Sequence, residues 1–361
     1  MRKKFLSLSM LVIALVSISG AASARTVTDQ GGNVVTVPDK VDRVVIVAPW
    51  PLASVYCLYM GSGEKLVGVH PAIKSAGEFS HLMKVAPQIA DCESDFIKVD
   101  DINIESLMKL EPDVVLYSSS NAANAEQIRN AGIPAVGFSV SIAKFNTVET
   151  VNSWVKLLGE VFGEEDRASG ITEYGREVAA MIKERIGDIP KEDMPSALML
   201  YHYDDTQILA SGSTFFGQYW CDATGMRSVS ENMKGSGIEV NMEQIYEWAP
   251  DMIFVTNFVP YLAEDFYSNV IPGEDWSGVP AVINRQVHKF PLGMYRWFPP
   301  SSDSALTLLW LAKKAHPDLF ADIDLDAEIK TYYKRFYNVT LTDEEVARIY
   351  NPPREAASGS F

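Results

Sequence analysis

Five short groups of side chains carry chemistry in this sequence, and each directly follows an apolar run. Trp50 and Pro51 follow VVIVAP, His70 closes KLVGVH, and Ser118, Ser119, Ser120 and Asn121 follow VVLY. Tyr201, His202 and Tyr203 follow ALML, and Tyr295, Arg296, Trp297 and Phe298 follow HKFPLGM. Trp and Tyr offer flat faces with a donor at the rim, and Arg can fork onto a carboxylate, hydroxamate or catecholate oxygen. Such a set suits the grip of a bulky, partly apolar ligand with a few polar handles. Catalytic signatures are missing: there is no HExxH, no GxSxG elbow, no phosphate loop and no GxGxxG after a strand. Gly235-Ser236-Gly237 lacks the elbow context, which leaves a secreted hydrolase-like enzyme as a remote alternative. The five histidines are scattered and no acidic, His-rich loop is present, which disfavours bare zinc or manganese. His70, His202 and Tyr295 are the side chains that could reach a metal, as a haem would require. Each group also has a structural alternative: Trp50 as a satellite core residue, His202 as a strand-end histidine with a backbone partner, Arg296 paired with an acid such as Asp303. Trp220 and Phe216 sit on a helix and read as core.

The elements that must position these groups alternate. TVTDQGGNVVTVP reads as a hairpin turning at Gly31-Gly32, and VDRVVIVAP is a β-branched run of the kind buried in a parallel sheet. ASVYCLYMG, IESLMKL and NAEQIRNAG read as helices, the first and last closed by Gly61 and Gly132; KLVGVH, DVVLYSS and PAVGFS read as strands. Strands separated by helices of about ten residues specify parallel βαβ units. From Thr147 to Ile189 nothing reads as a strand; Val151, Trp154, Val155, Leu158 and Val161 fall on one helical face, and a second helical block runs from Glu164 to Ile186. The alternation resumes with SALMLYHY and DMIFVTN as strands and SALTLLWLAKKAH as a helix. The expected plan is α/β: two Rossmann-like lobes with mostly parallel sheets, residues 25–163 and 190–350, joined by one long rigid α-helix over 164–189. Residues 351–361 are expected to be a frayed tail.

Residues 1–24 read as a cleaved secretory signal: three basic residues, an apolar run too short for a bilayer, then Ala22-Ser23-Ala24. No cysteine follows the run, so a soluble, periplasmic species without a lipid anchor is expected. Without those 24 residues, 28 basic face 47 acidic side chains, a net charge of −19. That disfavours nucleic acid and anionic lipid as partners and suits a partner with a basic face. Cys57, Cys92 and Cys221 are an odd set for an oxidising compartment; a Cys57–Cys92 bridge and buried free thiols are both open.

One phrase occurs twice. INIESLMKLEPDVVLY, residues 102–117, is followed 138 positions later by VNMEQIYEWAPDMIFV, with Asn, Glu, Pro and Asp in the same places. Asn103 and Asn241 are suited to cap the following helices, and Glu105 and Glu243 fall in the first turn, where the helix dipole favours a carboxylate. With the opening hairpin, GIPAVGFS, the long helix, ASGSTFFGQ and VPAVINRQVHKFP, these blocks resemble the substrate-binding proteins of ABC importers for iron-siderophore, haem and cobalamin. The resemblance implies that the chain is not an enzyme, holds no cofactor of its own, and captures a metal chelate, a ferric siderophore before a haem or corrinoid, between its lobes. It also implies a monomer that docks on an inner-membrane permease dimer through Glu105 and Glu243. In open α/β sheets ligands bind outside the carboxyl ends of the strands, which places the groups named at the outset in the cleft between the lobes.

Overall fold

A computed structural model of the chain describes residues 23–187 and 189–357. Nearly all of the expected signal and residues 358–361 of the expected tail lie outside the described residues. The first lobe opens with the hairpin β1 (Ala24–Thr28) and β2 (Val34–Pro38), with Gly32 at φ +81° in the turn. There follow β3 (Val44–Ile46), α1 (Leu52–Met60), β4 (Leu66–Val69), α2 (Pro71–Glu78), α3 (Leu82–Val85), β5 (Ile97–Lys98) and β6 (Asp101–Ile102). Then come α4 (Ile104–Met108), β7 (Val114–Ser118), α5 (Ala122–Asn130) and β8 (Ala135–Phe138). The sheet β4-β3-β7-β8 is wholly parallel. Val44, Val45 and Ile46 are fully buried, because helices cover both faces of such a sheet and leave no solvated side for polar residues.

Two helices come next, α6 (Thr147–Phe162) and α7 (Asp166–Ile186). The expected stripe of α6, Val151 to Val161, is buried. At 1.5 Å per residue the 21 residues of α7 extend about 32 Å. The second lobe contains β9 (Ser196–Tyr203), β10 (Ile208–Ser211), α8 (Phe216–Ala223), β11 (Arg227–Ser228), β12 (Gly237–Val240), α9 (Met242–Trp248) and β13 (Met252–Val255). It is completed by α10 (Ala263–Tyr267), α11 (Pro280–Ile283), β14 (Val287–Lys289), α12 (Ser304–Ala315), α13 (Leu325–Tyr337) and α14 (Asp343–Tyr350). Its sheet runs β12-β10-β9-β13-β14, with β11 also on β9; β9, β11, β13 and β14 are parallel, while β10 is antiparallel to both β9 and β12, so that β12 runs in the direction of β9.

The lobes are packed on each other as well as on α7. One apolar core runs without a break from Val44 and Trp154 in the first lobe to Trp220, Leu308 and Trp310 in the second. Polar contacts stitch the same seam. Ser302 N donates to Ser54 Oγ at 3.2 Å, His81 N donates to Gly293 O at 2.7 Å, and Lys84 pairs with Glu345. Gly293 has no room for a side chain: a Cβ there would lie 2.2 Å from Asp303 Oδ2.

One expectation is corrected and one open alternative is decided. Residues 351–357 are held in place, because Arg354 grips Asp265 with both terminal nitrogens and Arg296 Nη2 donates to Ala356 O at 2.9 Å. No Cys57–Cys92 bridge forms; all three cysteines are buried free thiols, and burial pushes the Cys57 thiol far above its ordinary range, so it stays protonated.

A seam this extensive permits little hinge rotation. Small-angle scattering of free and ligand-loaded protein is expected to give superimposable profiles; a large compaction on loading would contradict the seam's rigidity.

Candidate functional site

In the first lobe, the turn after β3 and the end of β7 enclose a cavity of about 330 Å³. Trp50, Pro51, Asp100, Ser118, Ser120 and Asn121 line it. Trp50 is half-buried and stacks on His70, with ring centroids 5.1 Å apart. His70 itself is committed to the fold. Its Nδ1 accepts from Ala72 N at 3.0 Å, capping α2, so Nε2 carries the hydrogen and donates to Val99 O at 2.7 Å. With both nitrogens engaged, His70 is a platform for Trp50 and not a metal ligand. Ser118 and Ser120 share a hydroxyl hydrogen bond of 2.8 Å, and Asn121 caps α5 through Asn124 N. Ser119 faces elsewhere: in the turn that follows β7 it lines a separate cavity with Asn33, Tyr117 and Arg129.

In the second lobe, Tyr201 is the centre of an aromatic wall. Its ring meets Phe215 at 5.2 Å, Phe258 at 5.6 Å and Phe298 at 5.8 Å. From the first lobe Phe145 reaches over to the same wall, 5.9 Å from Phe215 and 5.5 Å from Phe216. His202, half-buried, pairs through Nε2 with Asp204 at 2.9 Å. Strict alternation would place Tyr203 beside Tyr201. A bulge prevents it: β10 pairs Ile208 with Tyr203, Leu209 with His202 and then Ala210 with Leu200, so Tyr201 is the extra residue. Tyr203 is thereby turned to the far face of the sheet, where it packs on Tyr261 and Trp276.

The Tyr295–Trp297 group is also corrected. Tyr295 and Trp297 are buried; the Trp297 indole N–H donates to Asp303 Oδ2 at 3.0 Å and its ring packs at 6.4 Å on Trp310. Arg296 lies behind the wall, its guanidinium 5.1 Å from the Phe258 ring centroid and bonded to Ala356 O. The chain turns back on itself between Leu292 and Arg296, which swings these side chains inward. Asp303, the acid offered as a partner for Arg296, receives Met294 N and Trp297 Nε1 instead. Burial pushes its carboxyl up to about 7, against those hydrogen bonds, which favour the charged form.

Phe258, Phe215 and Phe145 were not among the sequence candidates. Phe258 directly follows the run DMIFVTN, so the strand-end rule applied to that run would have found it. The loop carrying Phe258 is fixed by the buried Lys289 ammonium, which donates to Thr256 O at 2.8 Å, Tyr261 O at 3.2 Å and Val259 O. Among the described residues no group of three or more His, Cys, Asp or Glu could hold a metal ion. The second lobe thus contributes aromatic faces, and the first lobe contributes the Trp50–His70 stack with hydroxyls and an amide beside it.

Glu105 and Glu243 stand exposed in the first turns of α4 and α9. Asn103 Oδ1 accepts from Ser106 N at 3.0 Å and Asn241 Oδ1 from Gln244 N at 2.9 Å, so both copies of the phrase start a helix in the same way.

A family profile described as periplasmic binding protein matches residues 60–291. The chain is 26% identical to the molybdate-binding protein MolA of Haemophilus influenzae, over 94% of this chain and 99% of that protein. It is 24% identical to the iron(3+)-hydroxamate-binding protein YxeB of Bacillus subtilis, over 80% of this chain and 89% of that one. The crystal structure of a periplasmic solute binding protein from Veillonella parvula superimposes with a TM-score of 0.83 at 30% identity, covering 91% of this chain and 97% of that chain.

Asp303 sets a pH dependence. An unfolded aspartate titrates near 3.9. Between about 4 and 7 the folded chain therefore holds one more proton than the unfolded one, and this contribution to stability is lost as pH rises through about 7. Urea melts of Asp303→Asn across that range are expected to fall less steeply with pH than those of the parent; parallel slopes would show that Asp303 is already ionised.

Proposed function

The chain belongs to the periplasmic binding protein family, and from that premise we propose that it captures an uncharged or weakly charged iron chelate, of the ferric hydroxamate kind, between its lobes. Members of this family are solute-binding components of ABC importers and not enzymes, and the family name places them in the periplasm. The observation that carries the finer reading is the aromatic wall of Tyr201, Phe215 and Phe258, which Phe145 of the first lobe also joins. Aromatic faces match the organic skirt of a chelate, each ring burying large apolar area. Two basic groups behind the wall, Arg296 and Lys289, spend donors on backbone carbonyls. A triply anionic chelate would need several such groups converging on it. Haem and corrinoid are less well served, since His70 is used up at both nitrogens and Tyr295 is buried.

A second reading is a tetrahedral oxyanion. It is favoured by the 26% identity to a molybdate-binding protein over 94% of the chain, and by the Ser118, Ser120 and Asn121 donors around the first-lobe cavity. An oxyanion would use those donors and ignore the aromatic wall. The loaded chain, acting as a monomer, would then present Glu105 and Glu243 to the basic face of an importer's permease dimer. Such charge complementarity acts mainly on encounter rate and orientation.

Tryptophan fluorescence titrations with a ferric hydroxamate and with molybdate separate the two readings. The chelate is expected to quench and molybdate to leave the signal unchanged, and Tyr201→Ala is expected to weaken the chelate at least about tenfold, roughly 1.4 kcal/mol. Response to molybdate alone would select the oxyanion. For the permease, Glu105→Ala with Glu243→Ala is expected to preserve chelate affinity and lower uptake in cells; unchanged uptake would remove the docking role.

A further inference from the structure

The two copies of the repeated phrase match in more than sequence. Residues 103–110 and 241–248 show the same succession of burial: exposed, half-buried, exposed, half-buried, buried, exposed, exposed, half-buried. Leu107 and Ile245 anchor each helix in its lobe, with no side-chain exposure at either. On the outer side, positions three apart on a helix are neighbours. Glu105 therefore sits beside Met108, and Glu243 beside Tyr246. Both neighbours are large and apolar, and both are open to solvent, at 50% and 40%. A single exposed apolar side chain needs no explanation. The same placement in both lobes, each time next to the first-turn glutamate, does.

We propose that Met108 and Tyr246 are the apolar contacts of the permease-docking surface, one per lobe, each flanking its glutamate. This rests on the docking role given above to Glu105 and Glu243 and extends it to the partner's chemistry. The occupant is a two-fold pair of membrane-embedded subunits, each offering a basic pocket with an apolar groove one helical turn away. The duplication argues for this partner: two equivalent patches on two related lobes match two copies of one surface, and the chain's excess of acid matches a basic face. Topology agrees. α4 and α9 both begin at the carboxyl edge of their sheets, since each leads down into a parallel strand, β7 or β13. Tyr246 is held ready. Its hydroxyl donates to Asp275 O at 2.6 Å, and its ring lies where a side chain at position 278 would start, 2.8 Å from a Cβ built on Gly278. The two parts of each patch act at different stages. The glutamate steers the encounter, while the apolar side chain adds affinity by leaving water on docking.

The test measures ligand-free binding protein on its cognate permease and ATPase in nanodiscs. Met108→Ser with Tyr246→Ser is expected to raise Kd about tenfold, with the melting temperature monitored in parallel. Met108→Leu with Tyr246→Phe is expected to restore binding, and Ile142→Ser with Leu319→Ser, equally exposed apolar residues elsewhere, to change nothing. An unchanged Kd in the double serine variant, alongside weakened binding by Glu105→Ala with Glu243→Ala, would overturn the apolar contact while sparing the glutamates. Unchanged binding in both would overturn the docking role itself, and equal weakening by the Ile142 and Leu319 control would overturn the specificity of the patch.

Discussion

The whole arrangement depends on one unbroken apolar core that passes from the first sheet through α1, α6 and α7 into α12 and α13. Where lobes meet only through a linker, the gap between them is set by thermal motion. Here it is set by packing. Trp154, Trp220 and Trp310 are all buried in that one core, and each such side chain contributes a few kcal/mol of burial. The polar stitches ride on that core. His81 N finds Gly293 O because Asp303 has already drawn Met294 N inward, and Gly293 can pass so close to Asp303 because it lacks a Cβ. A buried carboxyl raised to about 7 thus sits within the second-lobe loop that is hydrogen-bonded to the first lobe. On the proposed reading, lobes held by packing suit selection of the cargo by size and shape more than closure around it.

The fold was legible because it follows from periodicities that burial imposes. β-branched runs mark strands covered on both faces, the stripe from Val151 to Val161 marks a helix with one covered side, and Gly61 marks a helix end in left-handed backbone. The repeated phrase was legible as grammar, and the structure supplies its physical content: matching caps, matching anchors and matching outward faces.

The cleft was only half legible, for identifiable reasons. Tyr201 and Trp50 stand half-buried near their strand ends, where the rule that ligands bind at strand ends looks for candidates. Tyr203 does not, because a bulge changes the parity of β9 after Leu200, and nothing in SALMLYHY announces the extra residue. Trp297 and Tyr295 lie in a loop that turns back on itself, where alternation has no meaning, and a buried Asp303 offers the indole a partner in the core. Arg296 reads as a ligand fork until the chain's last turn comes into view: Ala356 is sixty residues away in sequence and supplies its acceptor. Phe145 is harder still, since it belongs to the opposite lobe and reaches the wall only because the core fixes how the lobes meet.

On the proposed reading, cargo recognition and partner recognition draw on different layers of one fold. The cargo wall is built from strand ends and loops, where a single bulge or turn re-aims a side chain, so its chemistry can change without disturbing the sheets. The outer patches are built from capped helix starts, where Asn103, Asn241, Leu107 and Ile245 fix every outward position by helical geometry. A surface that must meet two copies of one partner needs both of its halves in the same frame, and helix starts in duplicated lobes provide it. A wall that must fit a single asymmetric cargo has no such requirement. The first lobe offers hydroxyls and amides where the second offers aromatic rings, and that asymmetry is what a ligand with one polar and one apolar side would meet.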